Sequence, residues 1–251
     1  MTHLTTHNII SPTQYAFRPH SSTTTTLQSV INYIYKQKHN KQPTLAIYID
    51  LSKAYDTVSH SKLIHKLQHE FNFSPNTVQF FRSFFTNRQQ STHTQHAQSH
   101  TQTITDGIPQ GSTLSTTLFL LYINNIISAV PSSKVYTYAD DTTLIITAAD
   151  IDALEKLAQS ELNNLINYFH ANNLVPNPKK TQYTVFHLHN PPDIQLLVNN
   201  KALEHTKQAK LLGIYMQNNF KHHRTITNII KKLQPAIQIL RHANGYCRHI
   251  K

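Results

Sequence analysis

Tyr138-Ala139-Asp140-Asp141 lies between two β-prone runs, at residues 134–138 and 144–146. Two adjacent acids are unusual there, because Asp is a poor strand residue and neighbouring carboxylates repel each other unless a cation lies between them. The pattern predicts a β-hairpin whose tight turn carries both acids out of the sheet. Such a turn suits Mg²⁺, which takes one or two carboxylates and leaves its other positions to water and phosphate oxygens. Taken alone, the acidic pair is better explained as an ordinary surface turn.

A further acid, Asp50, ends the apolar run Leu45-Ala46-Ile47-Tyr48-Ile49, which has the length and β-branching of a strand. If this strand neighbours the hairpin, three carboxylates converge at one place. Two metal ions roughly 3.5–4 Å apart, bridged by such carboxylates, form a clamp for in-line phosphoryl or nucleotidyl transfer. An alternative of equal weight is that Asp50 caps a following helix.

Several segments, taken in order along the chain, resemble the motifs of reverse transcriptases, in the form used by non-LTR (LINE-like) retrotransposons and group II introns. Asp50-Leu51-Ser52-Lys53-Ala54-Tyr55-Asp56-Thr57-Val58 resembles the first catalytic motif, and Tyr138-Ala139-Asp140-Asp141 resembles the second. The others are Gln14-Tyr15-Ala16-Phe17-Arg18 with Ser22-Thr23 (fingers), Gly107-Ile108-Pro109-Gln110-Gly111-Ser112-Thr113-Leu114-Ser115 (template and nucleotide positioning), Asn177-Pro178-Lys179-Lys180-Thr181 (lysine-bearing) and Leu211-Leu212-Gly213-Ile214 (primer grip). A single match arises easily by chance, whereas the whole set in the family's order does not.

The resemblance implies an α+β fold, the palm of a right-hand polymerase, with an antiparallel sheet backed by helices, partial fingers and a truncated thumb. It implies fingers at residues 1–40 and 60–107 and a palm at residues 41–59 and 108–216. Residues 217–251 would begin the thumb. We therefore expect a fragment of a longer polyprotein.

The resemblance also implies an activity, RNA-directed DNA synthesis, in which dNTPs are added to the 3′-hydroxyl of a DNA primer on an RNA template. Two Mg²⁺ ions, with Mn²⁺ as an alternative, would be held by Asp50, Asp140, Asp141 and the main chain of Leu51. The nucleotide-binding residues would be Arg18, Tyr55, Gln110, Gly111 and Lys180, and the primer grip would be Leu212 and Gly213. Asp56 would order the turn after the first strand.

For most of these residues a plain structural role competes with the functional one. Tyr55 suits a buried core aromatic, residues 109–111 suit an ordinary turn, and Arg18 and Lys180 suit solvated surface cations. Ala16, Thr116, Tyr168 and Pro176 also depart from the family pattern. A catalytically impaired nucleic-acid-binding remnant is therefore an alternative function, and an intron-maturase-like protein is a third.

Composition favours a polyanionic partner. The net charge is +11 although only 14% of the 251 residues are charged, and phosphate neutralisation by Lys and Arg dominates affinity for nucleic acids. The single cysteine fits a reducing compartment, and no apolar run is long enough to predict secretion or membrane spanning. We therefore expect an intracellular protein, in the nucleus and the cytoplasm, without membrane contact.

Apolar spacing predicts the remaining elements. We expect helices at residues 26–39, 61–70, 76–85, 114–127, 151–171 and 225–242. We expect strands at residues 182–188, 194–198 and 210–216, and a weak exposed hairpin within residues 89–105.

Overall fold

The structure is a computed structural model that describes Leu4, His7, residues 9–186, residues 194–219 and Gln234. Its helices are α1 (Thr23–His39), α2 (His60–His69), α3 (Pro75–Phe85), α4 (Thr113–Tyr122), α5 (Ile126–Ala129) and α6 (Ile151–Ala171). Its strands are β1 (Thr44–Ile49), β2 (Gln89–Gln90), β3 (Gln102–Thr103), β4 (Lys134–Tyr138), β5 (Asp141–Thr147), β6 (Gln182–Phe186), β7 (Leu197–Val198), β8 (Lys201–Ala202), β9 (Glu204–His205), β10 (Gln208–Leu211) and β11 (Ile214–Gln217).

Side-chain caps determine where most of the helices begin. Ser59, Ser74, Ser112 and Asp150 each accept a hydrogen bond from the first turn of the helix that follows. Ser22 forms a reciprocal capping box with Thr25 at the start of α1. These are the residue types that satisfy the otherwise unpaired amides of a helix N-terminus.

The central sheet has the strand order β4-β5-β1-β6-β9. The β4–β5, β5–β1 and β1–β6 pairs are antiparallel, which brings the predicted acidic hairpin alongside the predicted Asp50 strand. The last pair, β6–β9, is parallel, so the sheet is mixed and not wholly antiparallel as expected.

Both faces of this sheet are covered. Leu45, Ile47 and Ile49 of β1 pack into the larger core with α2, α3, α4 and α6. Ala46 and Tyr48 face a smaller core formed by α1 and the β10–β11 hairpin. The expected α+β palm is therefore confirmed, and α1 adds a partial third layer. Because β1 is buried on both faces, its sequence does not alternate between apolar and polar residues, and the third layer was therefore not indicated by the sequence.

Several predicted elements differ in detail. Residues 210–216 form a hairpin, β10–β11, in place of one strand, because Leu212 and Gly213 both adopt positive φ and turn the chain back. The predicted helix at 114–127 ends at Tyr122 and is followed by the separate short α5. The strand expected at 194–198 is reduced to β7, and the weak hairpin is present as β2–β3. The helix predicted at 225–242, and the end of the strand predicted at 182–188, lie outside the described residues, apart from Gln234.

Among the described residues, no helix combines the length and the apolar character needed to cross a membrane.

Candidate active site

The register of β1 against β5 determines where the acids meet. Ile49 pairs with Thr142, so that Asp50, one residue beyond β1, lies beside Asp141, the first residue of β5. Tyr138 pairs with Asp141 across the β4–β5 turn, which leaves Ala139 and Asp140 as its two central residues. This is the tight acidic hairpin turn that the sequence predicts.

The turn has an unfavourable backbone conformation. Ala139 has φ 55°, at the first central position, where Gly is the usual residue. A non-glycine residue pays roughly 1 kcal/mol or more for this conformation. Conformations of this kind persist where the surrounding structure enforces them, and they concentrate at functional sites.

The three carboxylates interact electrostatically. Partial burial raises the pKa of Asp141 above its ordinary value of 3.8, and the negative charges of Asp140 and then Asp50 raise it further. Burial and the charge of Asp140 likewise raise the pKa of Tyr55. Asp140 is therefore close to both Asp141 and Tyr55.

Lys180 approaches this acidic site from a neighbouring segment. Its Nζ lies 3.3 Å from Oδ2 of Asp50. The segment is held by main-chain hydrogen bonds, because Asn177 N donates to Asp50 O at 2.8 Å and Ser52 N donates to Val175 O at 2.8 Å. Pro176, one of the residues that depart from the family pattern, lies opposite Leu51 in an isolated antiparallel bridge.

Two clefts meet at the acids. The first, of about 530 Å³, contains Asp50, Asp141 and Lys180 and extends to the turn of the β10–β11 hairpin at Leu212 and Gly213. The second, of about 550 Å³, contains Asp140. Its other lining residues include four that the sequence singles out: Leu51, Tyr55, Gln110 and Gly111. The first cleft thus holds the predicted primer-grip residues together with Lys180, and the second, the predicted nucleotide cleft, holds Tyr55, Gln110 and Gly111, with the acids at the boundary.

The donor set suits a hard divalent cation. Three carboxylates that repel one another offer oxygen ligands, and the one cationic side chain that pairs with Asp50 among the described residues is that of Lys180. Within the described part of the chain, however, no three or more His, Cys, Asp or Glu side chains form a group that could hold a metal ion. The ligand roles of Asp50, Asp140, Asp141 and Leu51 therefore stay a prediction.

Comparison with known proteins assigns the chain to a family. Residues 1–216 match the family described as "Reverse transcriptase (RNA-dependent DNA polymerase)". The chain belongs to the reverse transcriptase family. This confirms the resemblance carried by the motifs.

Relatives of this reverse transcriptase chain come from mobile elements. It is 26% identical over 223 residues to the RNA-directed DNA polymerase from mobile element jockey of Drosophila melanogaster, covering 86% of this chain and 24% of that protein. It is 25% identical over 224 residues to the probable RNA-directed DNA polymerase from transposon BS of the same species, covering 84% and 24%. The chain thus spans about a quarter of the length of these relatives.

Solved structures of telomerase resemble the fold as well. Telomerase from Candida tropicalis, in complex with a fragment of telomeric RNA, superposes with a TM-score of 0.59 at 12% identity, over 83% of this chain and 33% of that chain. The apo form truncated from its C-terminal domain gives a TM-score of 0.58 at 13% identity, over 83% and 40%. At such low identity these matches support the fold alone.

Two sequence interpretations change with the structure. Asp50 caps no helix, because a turn follows it and α2 begins only at His60, with Ser59 as its cap. Arg18 lines neither cleft, and its Nη1 donates to the main-chain oxygens of Ser11 and Gln14 at 2.9 and 3.2 Å. In this structure Arg18 therefore braces the loop before α1, and its predicted role with triphosphate stays a prediction.

Sequence reasoning missed other residues that line the first cleft. Lys210 and Gln182 line the first cleft beside Lys180, which gives that cleft a second cation. Lys210 is the exposed residue between buried Ala209 and Leu211 on β10. An exposed lysine on a short strand has the pattern of any solvated face, so only its proximity to the primer-grip motif could have indicated it.

Proposed function

We propose that the chain is the catalytic core of an RNA-directed DNA polymerase, which adds dNTPs to the 3′-hydroxyl of a DNA primer on an RNA template. We further propose that residues 41–59 and 108–216 act as palm, residues 1–40 and 60–107 as fingers, and residues 217–251 as the start of a thumb. The proposed activity takes place inside the cell, where the single cysteine stays reduced.

One observation carries this proposal. The β1–β5 register brings Asp50 beside Asp141, at the boundary between a cleft that contains Lys180 and a cleft that contains Tyr55 and Gln110. A polymerase needs this arrangement, because the primer end and the incoming nucleotide must meet at the acids. A generic RNA-binding sheet reads bases with surface aromatics and has no need of clustered carboxylates.

Asp50, Asp140, Asp141 and the carbonyl of Leu51 would hold two Mg²⁺ ions, or Mn²⁺ in their place. Bound there, the ions would supply charge neutralisation for the attacking and departing oxygens. The protein's own part is to hold the carboxylates in place through the antiparallel β1, β4 and β5 strands.

The side chains around the acids divide the remaining tasks. Tyr55, stacked on Phe119 with ring centroids 4.5 Å apart, forms a fixed wall of the nucleotide cleft against which a 2′-hydroxyl would clash. Gly111 leaves open space beside the nucleotide, because a Cβ added to it would have no atom within 4 Å. The Lys180 side chain is exposed, and it would turn from Asp50 to a departing pyrophosphate, to which it would donate a proton or hydrogen bond.

Primer extension tests the proposal. The chain is mixed with a labelled DNA primer annealed to RNA, all four dNTPs and Mg²⁺, and the products are resolved by length. We expect extension by the wild type and a loss of about a thousandfold or more in Asp140→Asn, because metal-bound charge stabilisation contributes several kcal/mol. Asp152→Asn, an exposed acid in the first turn of α6, is the matched control.

If wild-type protein is folded and binds the primer–template duplex but extends no primer, the alternative of a catalytically impaired nucleic-acid-binding remnant is favoured. Equal extension by wild type and Asp140→Asn would show that Asp140 takes no part in the reaction, and the proposed set of metal ligands would be wrong.

A further inference from the structure

The loop that carries Gln110 is fastened to the turn that carries Tyr55. Gly107 N donates to Val58 O at 2.7 Å, and Ile108 N donates to Tyr55 O at 2.8 Å. Gly107 has φ 87°, and a Cβ on it would lie 2.8 Å from the main-chain oxygen of Asp56. The two segments are therefore in direct main-chain contact where they enter the nucleotide cleft.

A histidine reinforces this junction. Nε2 of His60 lies 2.6 Å from the main-chain oxygen of Gly107. Because a carbonyl oxygen only accepts, Nε2 carries the proton and donates. The imidazole ring also stacks on Phe85 of α3, with centroids 4.3 Å apart and planes 22° apart. His60 thus ties the loop to α2 and α3 at once.

A carboxylate orients the side chain of Gln110. Gln110 Nε2 donates to Asp56 Oδ1 at 3.0 Å, which directs the amide nitrogen toward the Tyr55 turn. Gln110 lines both the nucleotide cleft and an adjoining cleft of about 580 Å³ that contains Asp56. Neither His60 nor Asp56 lines the nucleotide cleft itself.

We propose that His60 and Asp56 are positioning residues, which hold the 107–111 segment against the Tyr55 turn so that the nucleotide cleft is formed before a dNTP arrives. The proposal rests on the polymerase function proposed above. Pre-organisation lowers the entropy that is lost when the segment is ordered on binding, so its absence raises the KM for dNTP more than it lowers kcat.

The test compares variants that separate packing from hydrogen bonding. His60→Phe keeps a ring on Phe85 and removes the donor, whereas His60→Gln restores an N–H near the position of Nε2. Asp56→Ala removes the acceptor at an exposed position, so it is readily tolerated by the fold. His65→Gln, an exposed histidine on the same helix, is the control.

Steady-state primer extension, primer–template affinity, the thermal midpoint and amide hydrogen exchange are measured on each variant. We expect the KM for dNTP to rise about tenfold in His60→Phe and Asp56→Ala, the loss that one net hydrogen bond of about 1.4 kcal/mol implies. We expect kcat and primer–template affinity to stay within about twofold on the same reasoning, and His60→Gln to recover most of the lost affinity. The amides of Gly107 and Ile108 should exchange faster in His60→Phe than in the wild type.

An unchanged KM in both His60→Phe and Asp56→Ala overturns the proposal. So does a KM increase accompanied by matching losses of duplex affinity and thermal midpoint, since that is the mark of general destabilisation. If the wild type extends no primer, the polymerase function fails separately. Hydrogen exchange then tests by itself whether His60 holds the 107–111 segment in place. Unchanged exchange at Gly107 and Ile108 in His60→Phe overturns the proposal.

Discussion

Lys180 Nζ lies 3.3 Å from Asp50 Oδ2, and this ion pair joins two segments that are distant in sequence. The Lys180 side chain is 65% exposed and that of Asp50 is 36% exposed. Exposed pairs of this kind contribute at most about 1 kcal/mol to stability. The ion pair is thus better suited to a role in catalysis than to stabilising the fold.

Substitution of Lys180 should affect catalysis and not stability. We expect Lys180→Ala to lower kcat for primer extension about a hundredfold, the scale of one proton donor, while the free energy of unfolding changes by less than about 1 kcal/mol. Single-turnover extension and urea denaturation provide the two measurements. Lys179→Ala, the exposed neighbour, is the control. Equal activity in Lys180→Ala and Lys179→Ala would leave Lys180 as a surface lysine.

Divalent cations should stabilise the chain through the acids. Because the folded-state pKa of Asp141 is raised, its carboxyl group contributes stability that is present below pH 3.8, where it is protonated, and lost as pH rises through the folded value. At neutral pH the ionised group therefore weakens the metal-free fold. We expect Asp141→Asn to unfold at a higher temperature than the wild type in the presence of a chelator.

Addition of Mg²⁺ should reverse that order. At a concentration tenfold above the dissociation constant, Mg²⁺ should stabilise the wild type by about 1.4 kcal/mol and Asp141→Asn by much less. Differential scanning fluorimetry at constant ionic strength measures both, with a monovalent salt as the control. A Mg²⁺ response of the same size in the two proteins would argue against a metal site at these acids.

The acids and their strands could be predicted from the sequence, because a strand ending in Asp50 and a hairpin turn at Asp140 have strong local patterns. Their pairing came from the family resemblance, since no local pattern specifies which strands become neighbours. The bracing role of Arg18 could not be predicted, because its partners are main-chain oxygens. The β10–β11 turn was missed because Leu212, a residue that rarely adopts positive φ, looks like a strand residue.

Tyr55 should determine the choice between deoxynucleotides and ribonucleotides. Tyr55→Val opens the wall of the nucleotide cleft, so we expect the preference for dNTP over rNTP, measured as the ratio of kcat/KM values, to fall at least about tenfold. Tyr55→Phe keeps the ring that stacks on Phe119 and should retain the preference. An unaltered ratio in Tyr55→Val would mean that Tyr55 acts only as a core aromatic.

Alkaline pH should destabilise the fold through Tyr136. Burial first, then the neighbouring Tyr15 and Tyr33, raise the pKa of Tyr136 from 10.0 to about 12. A raised folded-state value means that the contribution to stability is complete below pH 10 and lost as pH rises toward 12. We expect the free energy of unfolding to decline over this window, and to decline less steeply in Tyr136→Phe. Tyrosinate absorbance measures the ionisation of Tyr136. Ionisation of Tyr136 in the native protein near pH 10 would contradict the prediction.

Two glycines offer a matched test of close packing. Gly107 and Gly213 have φ 87° and 89°, so an alanine at either position is destabilised by the same backbone strain of roughly 1 kcal/mol. Only at Gly107 does the added Cβ also meet a main-chain oxygen, at 2.8 Å, whereas no atom lies within 4 Å of it at Gly213. We expect Gly107→Ala to lower the free energy of unfolding by at least about 1 kcal/mol more than Gly213→Ala, as overpacking does. Chemical denaturation gives the comparison, and equal losses at the two positions would show that the Gly107 loop can move away from the Tyr55 turn at little cost.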